Sequence, residues 1–118
     1  MSAMFTRREG DTFVLPGIAS VHSHAFQRAL RGHGQRVRDS GNFWSWREAM
    51  YTLAERMTPE AMRDIAEFAY AELASLGVCA VGEFHYLHHQ HDGTRYDDRT
   101  SMSQVLVDAA RAVGLRIT

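Results

Sequence analysis

Two short runs constrain this 118-residue chain most: SLGVCAV at residues 75–81 and AVGLRIT at residues 112–118. Each passes from the end of an amphipathic segment, through one glycine, straight into an apolar stretch rich in β-branched residues. A glycine placed there ends a helix, because it adopts the left-handed conformation that other residues resist. A strand delivered by a helix, twice over, implies βα units and a parallel sheet. The fold class is therefore α/β.

The rest of the chain fits that rhythm. Residues 13–23 (FVLPGIASVHS) are apolar, and Pro16-Gly17 breaks them into a turn and a strand over 18–23. Residues 24–31 read as a short helix, and 32–42 as a polar loop. Trp46, Met50, Leu53 and Met57 recur at helical spacing. Thr58-Pro59 then starts a second helix, with Thr as N-cap and Pro in the first turn. Its expected buried stripe is Met62, Ile65, Ala69, Leu73 and Leu76. The strand at 78–84 should be buried on both faces. Residues 85–99 form a polar loop, and Ser101 with Gln104 has capping-box spacing before a helix carrying Met102, Leu106, Ala109 and Val113.

Three parallel strands leave long unpaired edges, and a closed (β/α)8 barrel takes about 250 residues. The expected architecture is thus an incomplete one, with residues 1–12 as a remnant or leader and 13–118 as its βα units.

Composition narrows the chemistry. The net charge of −1 gives no global attraction to nucleic acid or anionic membrane. All thirteen basic residues are arginine, so no lysine nucleophile or Schiff base exists in this segment. The single cysteine, Cys79, can form no internal disulfide and reads as a small buried hydrophobe. No apolar run has the length of a membrane span and residues 1–11 carry no signal-peptide core, so the expected compartment is the cytoplasm.

The candidate chemistry begins at His22 and His24. Residues two apart on a strand share a face, so two imidazoles can reach one divalent metal, zinc above all. Seven histidines produce about 0.4 such pairs by chance, and His89 with His91 is a second pair, so context must decide. His22 and His24 close an apolar strand, where a barrel places its functional groups. His89 and His91 lie in a hydrophilic loop with His85 and His88, which reads as a solvated loop rather than a metal patch. Glu83, at the end of the second strand, reads as a structural hydrogen-bonding residue, with a place facing the site as the alternative. Of Trp44 and Trp46, at least one is expected in the core, with walling of a substrate pocket as the alternative. Arg28, Arg31, Arg36 and Arg38 read as exposed charge, with attraction of an anionic substrate as the alternative.

The run LPGIASVHSHAFQRALRG resembles the first-strand signature of the amidohydrolase superfamily: an apolar strand, Pro-Gly, then His-x-His. HSHAFQRA, followed by FWSWRE at 43–48 and EFHYLHH at 83–89, resembles the formiminoglutamate deiminases more narrowly. The resemblance runs from about residue 14 to the C-terminus. It implies the N-terminal portion of a TIM-type amidohydrolase barrel, with one divalent metal, expected to be zinc, held by His22, His24 and later residues. It also implies that Gln27, Arg47 and Tyr86 contact the substrate, Arg47 through a carboxylate that suits its planar fork.

The implied reaction is hydrolysis of N-formimino-L-glutamate to N-formyl-L-glutamate and ammonia, in histidine degradation. No catalytic acid or base is assigned within the segment, which by itself should be inactive. The expected partners are a small carboxylate-bearing substrate, neither nucleic acid nor membrane, and either a second copy or the missing part of the barrel. The rivals are a deaminase or chlorohydrolase acting on a ring, which would leave Arg47 without a carboxylate, and a non-catalytic fragment or His-rich metal-binding module.

Overall fold

The structure, a computed structural model, describes residues 7–33 and 43–118. Its centre is a three-stranded parallel sheet in the order β3-β4-β5, with β3 at Ile18–Ser23, β4 at Val78–Glu83 and β5 at Arg116–Ile117. Between β3 and β4 lie a 3-10 helix at Ala25–Leu30 and the helices α1 (Phe43–Ala54) and α2 (Pro59–Ser75); α3 (Ser101–Ala112) joins β4 to β5. The two helix-to-strand glycines act as the sequence implies, Gly77 at φ 85° and Gly114 at φ 78°. Strands alternate with helices, and the parallel pairing follows.

One element was not foreseen. β1 (Arg7–Glu9) and β2 (Thr12–Val14) form an antiparallel hairpin, Arg7 opposite Val14 and Glu9 opposite Thr12, before the parallel sheet begins. Its two-residue Gly10-Asp11 loop is the signal, with Gly10 at φ 58°.

The core sits where α2 and α3 meet the sheet. Thr58 caps α2 by accepting a hydrogen bond from the Ala61 amide at 3.2 Å, with Pro59 in the first turn. α2 buries Met62, Ala66, Ala69 and Tyr70; α3 buries Met102, Val105, Leu106, Ala109 and Ala110. Alanines on both helices let the backbones come close, and the methionines fill the irregular space around them. Val81 and Leu115, Met50 and Met57, and Ala25 and Phe26 of the 3-10 helix also belong to this cluster.

Four expectations need correction. The α2 stripe turns through Ala66 and Tyr70, and Leu76 is 74% exposed, because it caps the helix instead of continuing it. β4 is half-buried apart from Val81: α2 packs on the strand, but nothing among the described residues covers it from the other side to the same extent. Cys79 is likewise half-buried, with its Sγ 3.6 Å from Arg116 Nη2. The capping box does not form, since α3 starts one residue earlier than that motif requires. Thr100 is the N-cap, without a side-chain cap, while Ser101 Oγ donates to Asp98 O and the Gln104 amide reaches Asp108.

Candidate metal and substrate site

The parallel strands all end on one side: the amide of Phe84 donates to Ser23 O and that of Glu83 to Thr118 O. This C-terminal edge is where α/β proteins place their ligands, and both histidines stand there. β3 reaches it irregularly. Ser20 pairs with Val81 and Ser23 with Glu83, so three steps of β3 run against two of β4. The extra residue falls at Val21–His22, opposite Gly82. Any Cβ on Gly82 would lie 2.7 Å from Val21 O, so only glycine admits the bulged backbone. Bulges re-aim side chains, and this one lies immediately before the histidine pair.

The two imidazoles converge, with His22 Nε2 3.0 Å from His24 Nε2 and the rings edge to face. The other nitrogen of His24, Nδ1, is 2.8 Å from the carbonyl of Phe84. A carbonyl only accepts, so Nδ1 carries the proton and Nε2 presents its lone pair. Two imidazole nitrogens this close are stabilised by a shared proton or by a cation. Zinc–nitrogen bonds of about 2.0–2.1 Å place two ligands roughly this far apart. A ring held from behind by a carbonyl is the usual support of a metal-binding histidine. The residues therefore fit a divalent metal. Among the described residues, no group of three metal-ligating side chains converges.

Beside the pair lies a second cluster. Tyr86 stacks edge-on against His24, their centroids 5.7 Å apart. Gln27 Nε2 donates to the Tyr86 hydroxyl at 3.1 Å, and that hydroxyl donates to Met50 Sδ at 3.2 Å. Gln27 and Tyr86 thus meet directly, and both also donate to the sulfur of Met50, which sequence reading assigned only to a buried stripe. Arg47 lies one turn before Met50 on α1. Its Nε donates to the Tyr51 hydroxyl at 2.9 Å, and the guanidinium lies over the Trp44 and Tyr51 rings at 5.7 and 5.1 Å. The Tyr51 contact is an i, i+4 pair, a spacing legible in WREAMY.

The remaining candidates separate by position. Glu83 Oε1 accepts from the Ala25 amide at 2.7 Å, and its Oε2 is buried without a hydrogen-bond partner. The neighbouring Tyr70 hydroxyl is also buried; burial, then the charge of Glu83 beside it, push it far above the usual phenol range. His85 lies against His88, their centroids 4.5 Å apart, with its Nε2 buried and unpaired. Burial, then the neighbouring His88, lower its pKa to about 4. His89 and His91 are exposed. Trp46 packs against the core while Trp44 is exposed. Arg28 and Arg31 both pair with Glu72, and Arg28 holds that carboxyl below the usual carboxylate range. Arg36 and Arg38 lie outside the described residues.

This architecture is similar to a segment of a known amidohydrolase. An amidohydrolase from Brucella melitensis, known from a crystal structure, superposes with a TM-score of 0.79 at 43% identity, over 86% of this chain and 23% of that one. The narrower likeness is to the formimidoylglutamate deiminases. Such a deiminase from Pseudomonas aeruginosa is 43% identical over 106 residues, 89% of this chain and 23% of that protein. An 8-oxoguanine deaminase from the same organism is 31% identical over 74 residues, 63% of this chain and 16% of that protein. The chain thus spans about a quarter of the length of the deiminase it matches. No protein-family model matches it.

Proposed function

We propose that the intact enzyme containing this segment hydrolyses N-formimino-L-glutamate to N-formyl-L-glutamate and ammonia, a step of histidine degradation in the cytoplasm. The observation that carries the reading is the contact between two clusters: the converging His22–His24 pair touches the Gln27–Tyr86 pair through the His24 and Tyr86 rings. One cluster suits a metal and the other a polar substrate, side by side at the strand ends. The identity of 43% to a formimidoylglutamate deiminase, against 31% to an 8-oxoguanine deaminase, favours the formimino substrate over a ring.

In this reading His22 and His24 contribute two of the ligands of one divalent metal, zinc by preference for imidazole. When bound, that metal supplies Lewis-acid activation of water at neutral pH. The chain's own residues hold the other end of the substrate. Arg47, kept in place by Tyr51 and Trp44, offers its fork to a carboxylate, while Gln27 and Tyr86 offer an amide and a hydroxyl. Fixing the glutamate moiety beside the histidines brings the reacting carbon into attack geometry, which lowers the entropic part of the barrier.

Ammonia release from N-formimino-L-glutamate by the full-length enzyme tests the assignment. Arg47→Lys should lower kcat/KM by about tenfold or more, since an ammonium cannot replace a bidentate pair. Arg47→Lys within twofold of the wild type would remove Arg47 from the site. Efficient turnover of 8-oxoguanine in place of the formimino compound would favour the ring reading.

A further inference from the structure

Glu83 is not needed by the chemistry above, yet it occupies an unusual place. It ends β4, its carboxylate is largely enclosed, and its Oε1 accepts the Ala25 amide at 2.7 Å. Ala25 is itself 3% exposed and directly follows His24. The adjacent Phe84 contributes two further bonds to the same stretch. Its amide donates to Ser23 O at 2.8 Å, and its carbonyl accepts from His24 Nδ1 at 2.8 Å. Residues 23, 24 and 25 are therefore each tied to 83 or 84 by one hydrogen bond.

That clamp lies where regular structure ends. β3 is bulged at Val21–His22, and His24 sits at φ −134°, ψ 79°, outside both the strand and the 3-10 helix. Neither a β-ladder nor a helical turn dictates where His24 points. The Ala25 amide is one of the first-turn donors that a helix cannot satisfy internally, and His24 makes no side-chain cap of its own. Glu83 takes that donor from across the chain. Oε1 reaches that amide at 2.7 Å, and the carboxylate's other oxygen is buried.

We infer that Glu83 is a positioning residue for the histidine pair: by holding the Ala25 amide it fixes the backbone at His24, and with it the approach of the two Nε2 atoms. The inference rests on the reading of His22 and His24 as metal ligands. What matters is the reach of the acceptor more than its charge. Gln at 83 keeps an oxygen at the same distance, whereas Asp keeps the charge but withdraws it by one methylene.

The test is metal affinity of the full-length enzyme, measured by chelator competition with zinc and by the visible spectrum of the cobalt-substituted protein. The variants are Glu83→Gln, Glu83→Asp and His22→Ala, with the metal-free thermal midpoint recorded for each. Glu83→Gln should bind zinc within about threefold of the wild type and keep the cobalt spectrum. Glu83→Asp should bind at least about tenfold more weakly, the usual consequence of losing a support behind a ligand, with an altered spectrum. Wild-type affinity in Glu83→Asp, or a tenfold loss in Glu83→Gln, would overturn the positioning role. Unchanged affinity in His22→Ala would instead overturn the metal-site reading beneath it, and with it this inference.

Discussion

At the scale of single residues, His22 and His24 were legible as a pair, but not for the whole of the right reason. Period-2 alternation brings such residues together on a regular strand; here a bulge precedes the pair and His24 lies beyond the strand. Their approach depends on Phe84 and Glu83, sixty residues away in sequence, which no local pattern reveals. Tyr86→Phe tests the neighbouring cluster. It deletes the hydroxyl that accepts from Gln27 and, if that hydroxyl serves the substrate, lowers kcat/KM on N-formimino-L-glutamate by about tenfold. The histidine-rich loop also held more than its composition showed, because His85 is enclosed while its neighbours are not. Its pKa, lowered to about 4, keeps it neutral in the folded state at pH values where the unfolded chain takes up a proton. Its neutral state therefore carries no penalty above about pH 6.5, and stability falls as pH drops from there towards 4. Denaturant midpoints at pH 7.5 and 5 should show this loss, and His85→Asn should reduce it.

At the scale of elements, the glycine stops and the Thr58-Pro59 start were readable because they act within one turn of chain. Thr58→Ala should lower stability by about 1 kcal/mol, the usual cost of an N-cap side chain, seen as a lower thermal midpoint. The capping box on α3 was misread because its spacing is common and the Asp98 turn competes for the Ser101 hydroxyl. Strand irregularity was invisible as well. Gly82 looks like one more glycine in an apolar strand, yet a methyl there would collide with the Val21 carbonyl at 2.7 Å. Gly82→Ala should therefore shift the Val21–His22 bulge. We expect it to weaken zinc binding and lower the thermal midpoint together, whereas Gly93→Ala, strained at φ 81° but with open space around its Cβ, should lower the thermal midpoint and leave metal affinity unchanged.

At the scale of the whole molecule, the α/β class followed from the alternation of elements, while the β1–β2 hairpin was passed over because its two strands are short and exposed. Ile18, Val21 and Phe84 are large apolar side chains left in solvent along β3 and the end of β4, and no helix among the described residues is long and apolar enough to cross a membrane. Exposed apolar surface beside open parallel edges favours association. The 118-residue polypeptide should accordingly self-associate in sedimentation, and should release no ammonia from N-formimino-L-glutamate, since its described residues offer two converging ligands and a hydrolytic zinc site uses three or more. The central claim is that His22 and His24 share one divalent metal in the intact enzyme. Metal content per subunit, measured by elemental analysis after dialysis against metal-free buffer, tests it most directly: the wild type should retain about one equivalent, and His22→Ala and His24→Ala well under a tenth of that. Full metal retention in both variants would contradict it.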